Sequence, residues 1–396
     1  MDPIQNPYSP GAGMPPPELA GREQLLAKAA ITLERMRVRR PSKSVLLIGL
    51  RGVGKTVLLL KMSEYARSRG ILVVEVEAPE SRSLPAMLAP GLRLAMIRLA
   101  RESRGRELAR RALRGLAGFV GALKVKYQDI EVGLDLDPEP GLADNGDLEL
   151  DLQALLESVG EACASVGTGL AMFIDELQYV PEDDLAALIV ALHRSAQRQL
   201  PVTLVGAGLP QLRGRMGRAK SYAERLFDFP EVGPLPPKAA ALAITKPAAD
   251  LGVEYREEAL DIIVRESEGY PYFLQEWGKH VWDVAARSPI TRRDVRAASE
   301  SAVAALDESF FMVRFDRLTP SERRYLRAMA EMGPGPHRSG DIAAVLDRSV
   351  TSLGPVRAKL VFKGMVWSPG HGDTAFTVPR FDQFMRRIMP GIGWKS

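Results

Sequence analysis

The sequence predicts an α/β fold, a parallel sheet with crossover helices, followed by a helical domain and a small C-terminal domain. Three observations carry the prediction. Apolar segments recur at 45–50, 71–76, 170–175 and 202–205, separated by segments of helical character, and their near-uniform apolarity fits strands buried on both faces. From Pro236 the pattern changes to consecutive helices, at about 237–249, 256–267, 272–286 and 292–309. Thr319, Pro320 and Glu322 then supply an N-cap, a proline for the first helical position and the acid of a capping box, so a third domain starts there.

Within the first strand-to-helix junction lies Gly49-Leu50-Arg51-Gly52-Val53-Gly54-Lys55-Thr56. Its order is strand, phosphate-cradling loop, helix, as a P-loop requires. Gly49, Gly52 and Gly54 let the backbone N–H groups of the loop, those of Arg51 and Val53 included, converge on phosphates. Lys55 reaches the β and γ oxygens, and the Thr56 hydroxyl joins a Mg²⁺ shell. The chain is therefore expected to bind ATP or GTP. The strand 170–175 ends in two adjacent acids, the second half of the same chemistry: Asp175 to hold the magnesium shell and Glu176 to polarise the attacking water.

The remaining segments are less eventful. Residues 1–18 are rich in proline and glycine and read as a flexible arm, after which a helix runs toward residue 37. Helices span 84–102 and about 106–121. Within 124–137, Val125 and Tyr127 alternate in one phase and Ile130, Val132, Leu134 and Leu136 in the other, which reads as a strand with a bulge near Asp129, or a hairpin, inserted into the core. The acidic stretch 137–151 is a loop with no mechanism attached to it. The expected organisation is an arm (1–18), a nucleotide-binding core (19–235), a helical lid (236–317) and a C-terminal domain (318–396).

At 396 residues, with 46% hydrophobic and 26% charged, the composition is that of an ordinary globular protein of two or three domains. The single cysteine, Cys163, excludes an intrachain disulfide and a thiolate zinc cluster, and the four histidines are far apart, so magnesium with a nucleotide is the expected ion. No leader-like opening and no apolar run near 18 residues is evident, which points to the cytoplasm and to no membrane partner. Residues 320–396 carry twelve Lys or Arg against six Asp or Glu, leaving the rest of the chain slightly acidic.

Gly21-Arg22-Glu23, the P-loop, the Asp175-Glu176 strand and Gly269-Tyr270-Pro271-Tyr272-Phe273-Leu274-Gln275 resemble the archaeal-type ATPase group within the AAA+/STAND superfamily, over about residues 17–310. The resemblance implies ATP with Mg²⁺. In AAA+ relatives the strand after the acidic one presents a polar γ-phosphate sensor, whereas here it ends Gly206-Ala207-Gly208; Gln211, one turn later, is the candidate to compensate. Residues 213–220 and Arg225 occupy the region of a trans-acting arginine finger, and Arg225 is the preferred candidate, which would require a homo-oligomer; a solvated basic face is the alternative. Where AAA+ lids place an arginine on the phosphates, STAND proteins place a Gly-x-Pro segment, here Gly269 and Pro271. That departure favours a slow, switch-like ATPase over a continuous motor.

Segments 320–332, 339–346 and 350–362 have helical spacing and precede two short strands around a Gly-rich turn, an order that resembles a winged helix-turn-helix. Gly354-Pro355 is expected to break or restart the third helix. Arg348, Arg357, Lys359 and Lys363 lie on or beside that helix, Ser349 and Ser352 are placed for phosphates or base edges, and His371 sits at the wing tip. Val350, Leu353, Val356, Leu360 and Val361 are expected in the core. Replication-initiator ATPases of archaea share this domain order and bind duplex DNA. The resulting expectation is a cytoplasmic ATP-dependent switch associated with double-stranded DNA. The alternatives are a STAND-like signalling or autoinhibited ATPase whose winged helix docks on a protein partner, and a helper ATPase of a mobile element or defence system.

Overall fold

A computed structural model describes residues 1–11, 13–79, 82–102, 104–124, 126–130, 137–391 and 393–395. The chain divides into two compact units, one of Arg22–Gly49 and Lys55–Val232, the other of Met1–Gly21, Leu50–Gly54 and Gly233–Ser396.

In the first unit α1 (Glu23–Arg37) leads to β1 (Ser44–Ile48), α2 (Lys55–Ser68) and β2 (Leu72–Glu77). Three helices follow, α3 (Leu84–Leu99), α4 (Arg106–Leu123) and α5 (Leu148–Ser165), before β3 (Leu170–Asp175), α6 (Glu182–Gln197) and β4 (Val202–Gly208). Then α7 (Gln211–Ala219) and α8 (Ala223–Leu226) end at β5 (Phe227–Asp228). The strands are parallel in the order β2-β3-β4-β1-β5. Every residue of β1, β3 and β4 is buried, which accounts for their near-uniform apolarity, whereas β2 at the edge exposes Glu75.

β4 extends beyond its expected end at 205, because Gly206 and Gly208 continue the pairing with Leu46 and Ile48 of β1. The expected strand or hairpin near 124–137 lies partly outside the described residues, at 125 and 131–136. Its described part is a turn: Asp129 is not at a bulge but accepts from the N–H and hydroxyl of Ser83, the N-cap of α3, at 2.8 and 2.9 Å. The acidic loop has a structural anchor in Asp151, fully buried, which accepts from Asn145 N, Asn145 Nδ2 and Gly146 N at 2.8–3.0 Å.

The second unit contains α9 (Pro237–Ala249), α10 (Glu257–Ser267), α11 (Pro271–Val284) and α12 (Arg292–Ala305), a π-helical turn at Leu306–Phe311, and α13 (Met312–Asp316). Beyond them come α14 (Pro320–Glu331), β6 (His337–Arg338), α15 (Ser339–Val345), α16 (Val350–Phe362), β7 (Val366–Trp367), β8 (Asp373–Phe376) and α17 (Phe381–Ile388). β6 and β7 pair antiparallel with β8 on either side. Both bonds of the Thr319–Glu322 capping box are made. The expected boundary at 318 does not separate two bodies, because Phe311 of the π-helical turn packs 5.3 Å from Phe384 and 5.7 Å from Phe381 of α17, a helix the sequence pattern did not single out.

Two further expectations are corrected here. α16 runs unbroken through Pro355: the carbonyl that loses its partner belongs to Thr351, and both residues are exposed, so water can replace the missing bond. Of its apolar residues only Leu360 is buried, and Val350 is 50% exposed. The N-terminal arm, expected to be flexible, is docked within this unit. Tyr8 is 3% exposed, its hydroxyl donates to Ile244 O at 2.6 Å, and its ring lies so close to α11 that a β-carbon at Gly278 would meet it at 2.6 Å. Trp282 Nε1 also donates to Asp2 O at 2.9 Å, and Asn6 Nδ2 to Asp283 Oδ1 at 2.8 Å. A buried aromatic anchor with this many bonds offsets the entropy of ordering a proline-rich segment. Tyr8→Ala is expected to destabilise this unit by about 3 kcal/mol and to release the arm. Limited proteolysis should then cut within residues 1–20 at a protease concentration that leaves the unsubstituted protein intact.

Among the described residues no helix is long and apolar enough to cross a membrane.

Candidate nucleotide site

The parallel register brings the carboxyl ends of β1, β3 and β4 to one edge of the sheet, the side on which α/β folds bind ligands. Gly49 N donates to Gly208 O at 3.1 Å, closing the end of β1 against β4. Lys55 opens α2 with its side chain buried, and Nζ donates to Gly49 O at 3.0 Å, so the ammonium is held against the residue that follows β1. Thr56 Oγ1 donates to Asp175 Oδ2 at 2.6 Å, joining the start of α2 to the end of β3. The other carboxylate oxygen of Asp175 accepts from Glu176 N at 2.7 Å. Glu176 has left-handed backbone, φ 52°, which turns the chain sharply out of the strand. A helix N-terminus, a buried cation and a hydroxyl–carboxylate pair thus meet at one point, a combination suited to a polyphosphate with a divalent cation.

Sequence reasoning missed two residues in this unit. Gln178, in the short turn Leu177–Tyr179, is 3% exposed; its Oε1 accepts from Leu209 N at 3.0 Å and its Nε2 donates to Glu176 Oε2. Gln178 thus brings a polar side chain to the end of β4 from beside β3; Gln211 is the first residue of α7. Arg215, within the basic segment, donates to Gln178 O and, at 2.7 Å, to Val180 O. Burial holds its guanidinium below the usual arginine range. Arg225 is exposed on α8. The spacing Asp-Glu-x-Gln was the available signal for Gln178; nothing in the sequence separates Arg215 from its basic neighbours.

In the second unit, Gly52 and Gly54 have φ of +82° and +90°, conformations that side chains rarely adopt. A β-carbon at Gly52 would lie 3.5 Å from the Tyr270 ring and 3.6 Å from Phe310. Tyr270 sits between Gly269 and Pro271, so that segment reaches the loop tip through the residue that sequence reasoning passed over. Pro271 is the first residue of α11, and the carbonyl oxygen of Gly269, a residue at φ +69°, accepts from Leu235 N at 2.8 Å. Val53 is buried, and Arg51 lines a cavity of about 140 Å³ with Arg314, Arg317 and Lys363.

The C-terminal candidates separate into two sets. Arg348, Ser349, Ser352, Lys359 and His371 are exposed, with Ser349 capping α16 and His371 in the turn between β7 and β8. Arg357 is turned inward, donating to Thr374 Oγ1 at 2.7 Å and Asp373 O at 2.8 Å. Lys363 Nζ donates to Arg317 O at 2.9 Å and pairs with Glu322 at 2.8 Å. Burial raises the Glu322 carboxyl, but the bonds from Lys363 and Thr319 outweigh it and hold the group below the usual carboxylate range.

Residues 18–205 match the family model of the AAA ATPase domain, and residues 308–385 match a domain of unknown function, DUF8462. No curated protein matches the chain. Its structure is similar to that of a Walker-type ATPase of Pyrococcus abyssi, with 16% identity and a TM-score of 0.56 over 93% of this chain and 96% of the other. It also aligns with a Thermotoga maritima RuvB variant (17% identity, TM-score 0.46, 90% of this chain and 93% of that one). A further alignment is with Aeropyrum pernix Orc1 solved in complex with DNA (15%, 0.46, 94% of each chain). The family match over residues 18–205, on a parallel five-stranded sheet, supports a P-loop ATPase domain of the AAA type in that part of the chain.

Proposed function

We propose that the chain is a magnesium-dependent, ATP-binding and slowly hydrolysing switch of the AAA+/STAND kind, acting in the cytoplasm, whose C-terminal module is a winged helix that couples nucleotide state to double-stranded DNA. The observation that carries this reading is the 2.6 Å bond between Thr56 and Asp175 beside the buried Lys55. The backbone N–H groups from Gly49 to Lys55, with the Lys55 ammonium, would hold the phosphates; Thr56 and Asp175 would hold magnesium, and Glu176 would accept a proton from the attacking water. Bound magnesium supplies charge neutralisation on the phosphate oxygens. The Gly269–Pro271 segment supports a lid that senses the loop through Tyr270, and Arg225, exposed on α8, is free in direction to serve a neighbouring subunit of a homo-oligomer.

Exposed Arg348, Ser349, Ser352, Lys359 and His371 are the candidates for DNA contact. A second reading, a winged helix that docks on protein, is favoured by a specific observation: Arg357 and Lys363 are committed internally, while Val350 and Phe362 of α16 are 50% and 56% exposed. ATP turnover with and without random duplex DNA, at low and moderate salt, separates the two. The DNA reading expects stimulation that weakens with salt and is lost in Glu176→Gln, a change expected to slow turnover by about 10²–10⁴-fold. Measurable turnover with no DNA binding moves the protein-docking reading to first place.

A further inference from the structure

The nucleotide-site assignment leaves one buried polar side chain without a role, the amide of Gln178. A primary amide has an accepting end and a donating end, and its surroundings decide which faces where. Leu209 N can only donate, and it donates to Oε1 at 3.0 Å, so Nε2 is the end that faces Glu176 and donates to its Oε2. The turn carrying Gln178 is held from behind by Arg215, through the carbonyls of Gln178 and Val180. The tip of β4 is shaped to receive the amide. A β-carbon at Gly208 would lie 3.0 Å from Gln178 Oε1 and 2.6 Å from Leu212 Cδ2, and one at Gly206 would lie 2.3 Å from Leu177 Cδ1. Glycines at both positions are what allow the turn to pack on the strand end.

From these contacts we infer that Gln178 is the positioning residue for Glu176: it aims the carboxylate and ties it to the end of β4, where the strand carries no polar side chain of its own. Strand and turn are complementary halves of one arrangement. The strand supplies a backbone N–H and space, and the turn supplies the side chain. Glu176 leaves β3 through a left-handed residue, so backbone geometry sets only the direction of its first bond, and the amide restricts the torsions beyond it. The inference rests on the proposed role of Glu176 in activating water.

Two variants test it. Q178E keeps the shape and the acceptor for Leu209 N but removes the donor and sets a second carboxylate against Glu176; Q178M keeps the approximate volume and buries no charge. Both are expected to lower kcat by roughly 10- to 100-fold, the scale set by misplacing a reacting group by about an ångström. The Kd for Mg-ATP, titrated separately, should stay within about threefold of the original, since the amide is assigned no phosphate contact. If Q178E does not fold, Q178M decides. In an E176Q background Q178M should give no further loss of the residual single-turnover rate, whereas a general structural defect lowers it again. Unchanged kcat in Q178M, with E176Q inactive, overturns the inference alone, as does ATP affinity falling in step with kcat. Normal turnover by E176Q overturns the assignment of Glu176 and the inference with it.

Discussion

Alanine at Lys55 is expected to remove the tight ATP binding proposed for this chain. Lys55 is 6% exposed and its ammonium lies 3.0 Å from Gly49 O, at the end of β1 where the proposed phosphate site begins. Charge-assisted hydrogen bonds are worth about 1.5–3 kcal/mol each, and a buried ammonium that makes more than one with a phosphate chain contributes more than the neutral donors around it. The expected loss is roughly 3–4 kcal/mol, or 10²- to 10³-fold in Kd. Titration calorimetry with Mg-ATP measures it directly. The thermal midpoint without nucleotide should change little, because the sheet and α2 keep their packing; a Kd within tenfold of the original would sink the assignment of Lys55 to the phosphates.

The largest structural effect is expected at Gly269. Its φ of +69° is unfavourable for any other residue, and a β-carbon would lie 2.4 Å from Leu235 O, a backbone atom that is itself fixed because Leu235 N donates to Gly269 O at 2.8 Å. Left-handed strain of about 1–2 kcal/mol adds to an overpacking cost of about 1–3 kcal/mol. Gly269→Ala should therefore destabilise the unit containing Gly233–Ser396 by roughly 3–4 kcal/mol. Pro271 has no comparable constraint beyond starting α11, and Pro271→Ala should cost under about 1 kcal/mol. Chemical denaturation followed by tryptophan fluorescence distinguishes them, since Trp277 and Trp282 both lie on α11. Equal losses for the two substitutions would show that the segment is not held by Gly269 in the way its contacts indicate.

The sequence by itself determined the motifs that depend on local order. A P-loop works through consecutive residues, so Gly49 to Thr56 could be read without knowing the fold, and Asp175 and Glu176 follow from a buried strand that stops at two acids. The parallel sheet was legible for the same reason: strands covered on both faces have no polar positions to obscure them. The capping box at Thr319 is likewise a relation between neighbours.

Only the tertiary structure decided the rest. That the docked arm holds Tyr8 against Gly278, far along the chain, is invisible to a composition that argues for disorder. Arg357 and Lys363 look like groove-facing cations until Thr374 and Glu322 are placed beside them, and α16 survives Pro355 because that turn faces water. Gln178 reaches the end of β4 from the adjacent strand's turn, because parallel pairing makes the ends of β3 and β4 neighbours although some 30 residues separate Asp175 from Gly206. Bonds between consecutive residues leave a mark in the sequence as spacing. A bond between strands leaves none, since its two partners are selected by the sheet and not by their distance along the chain.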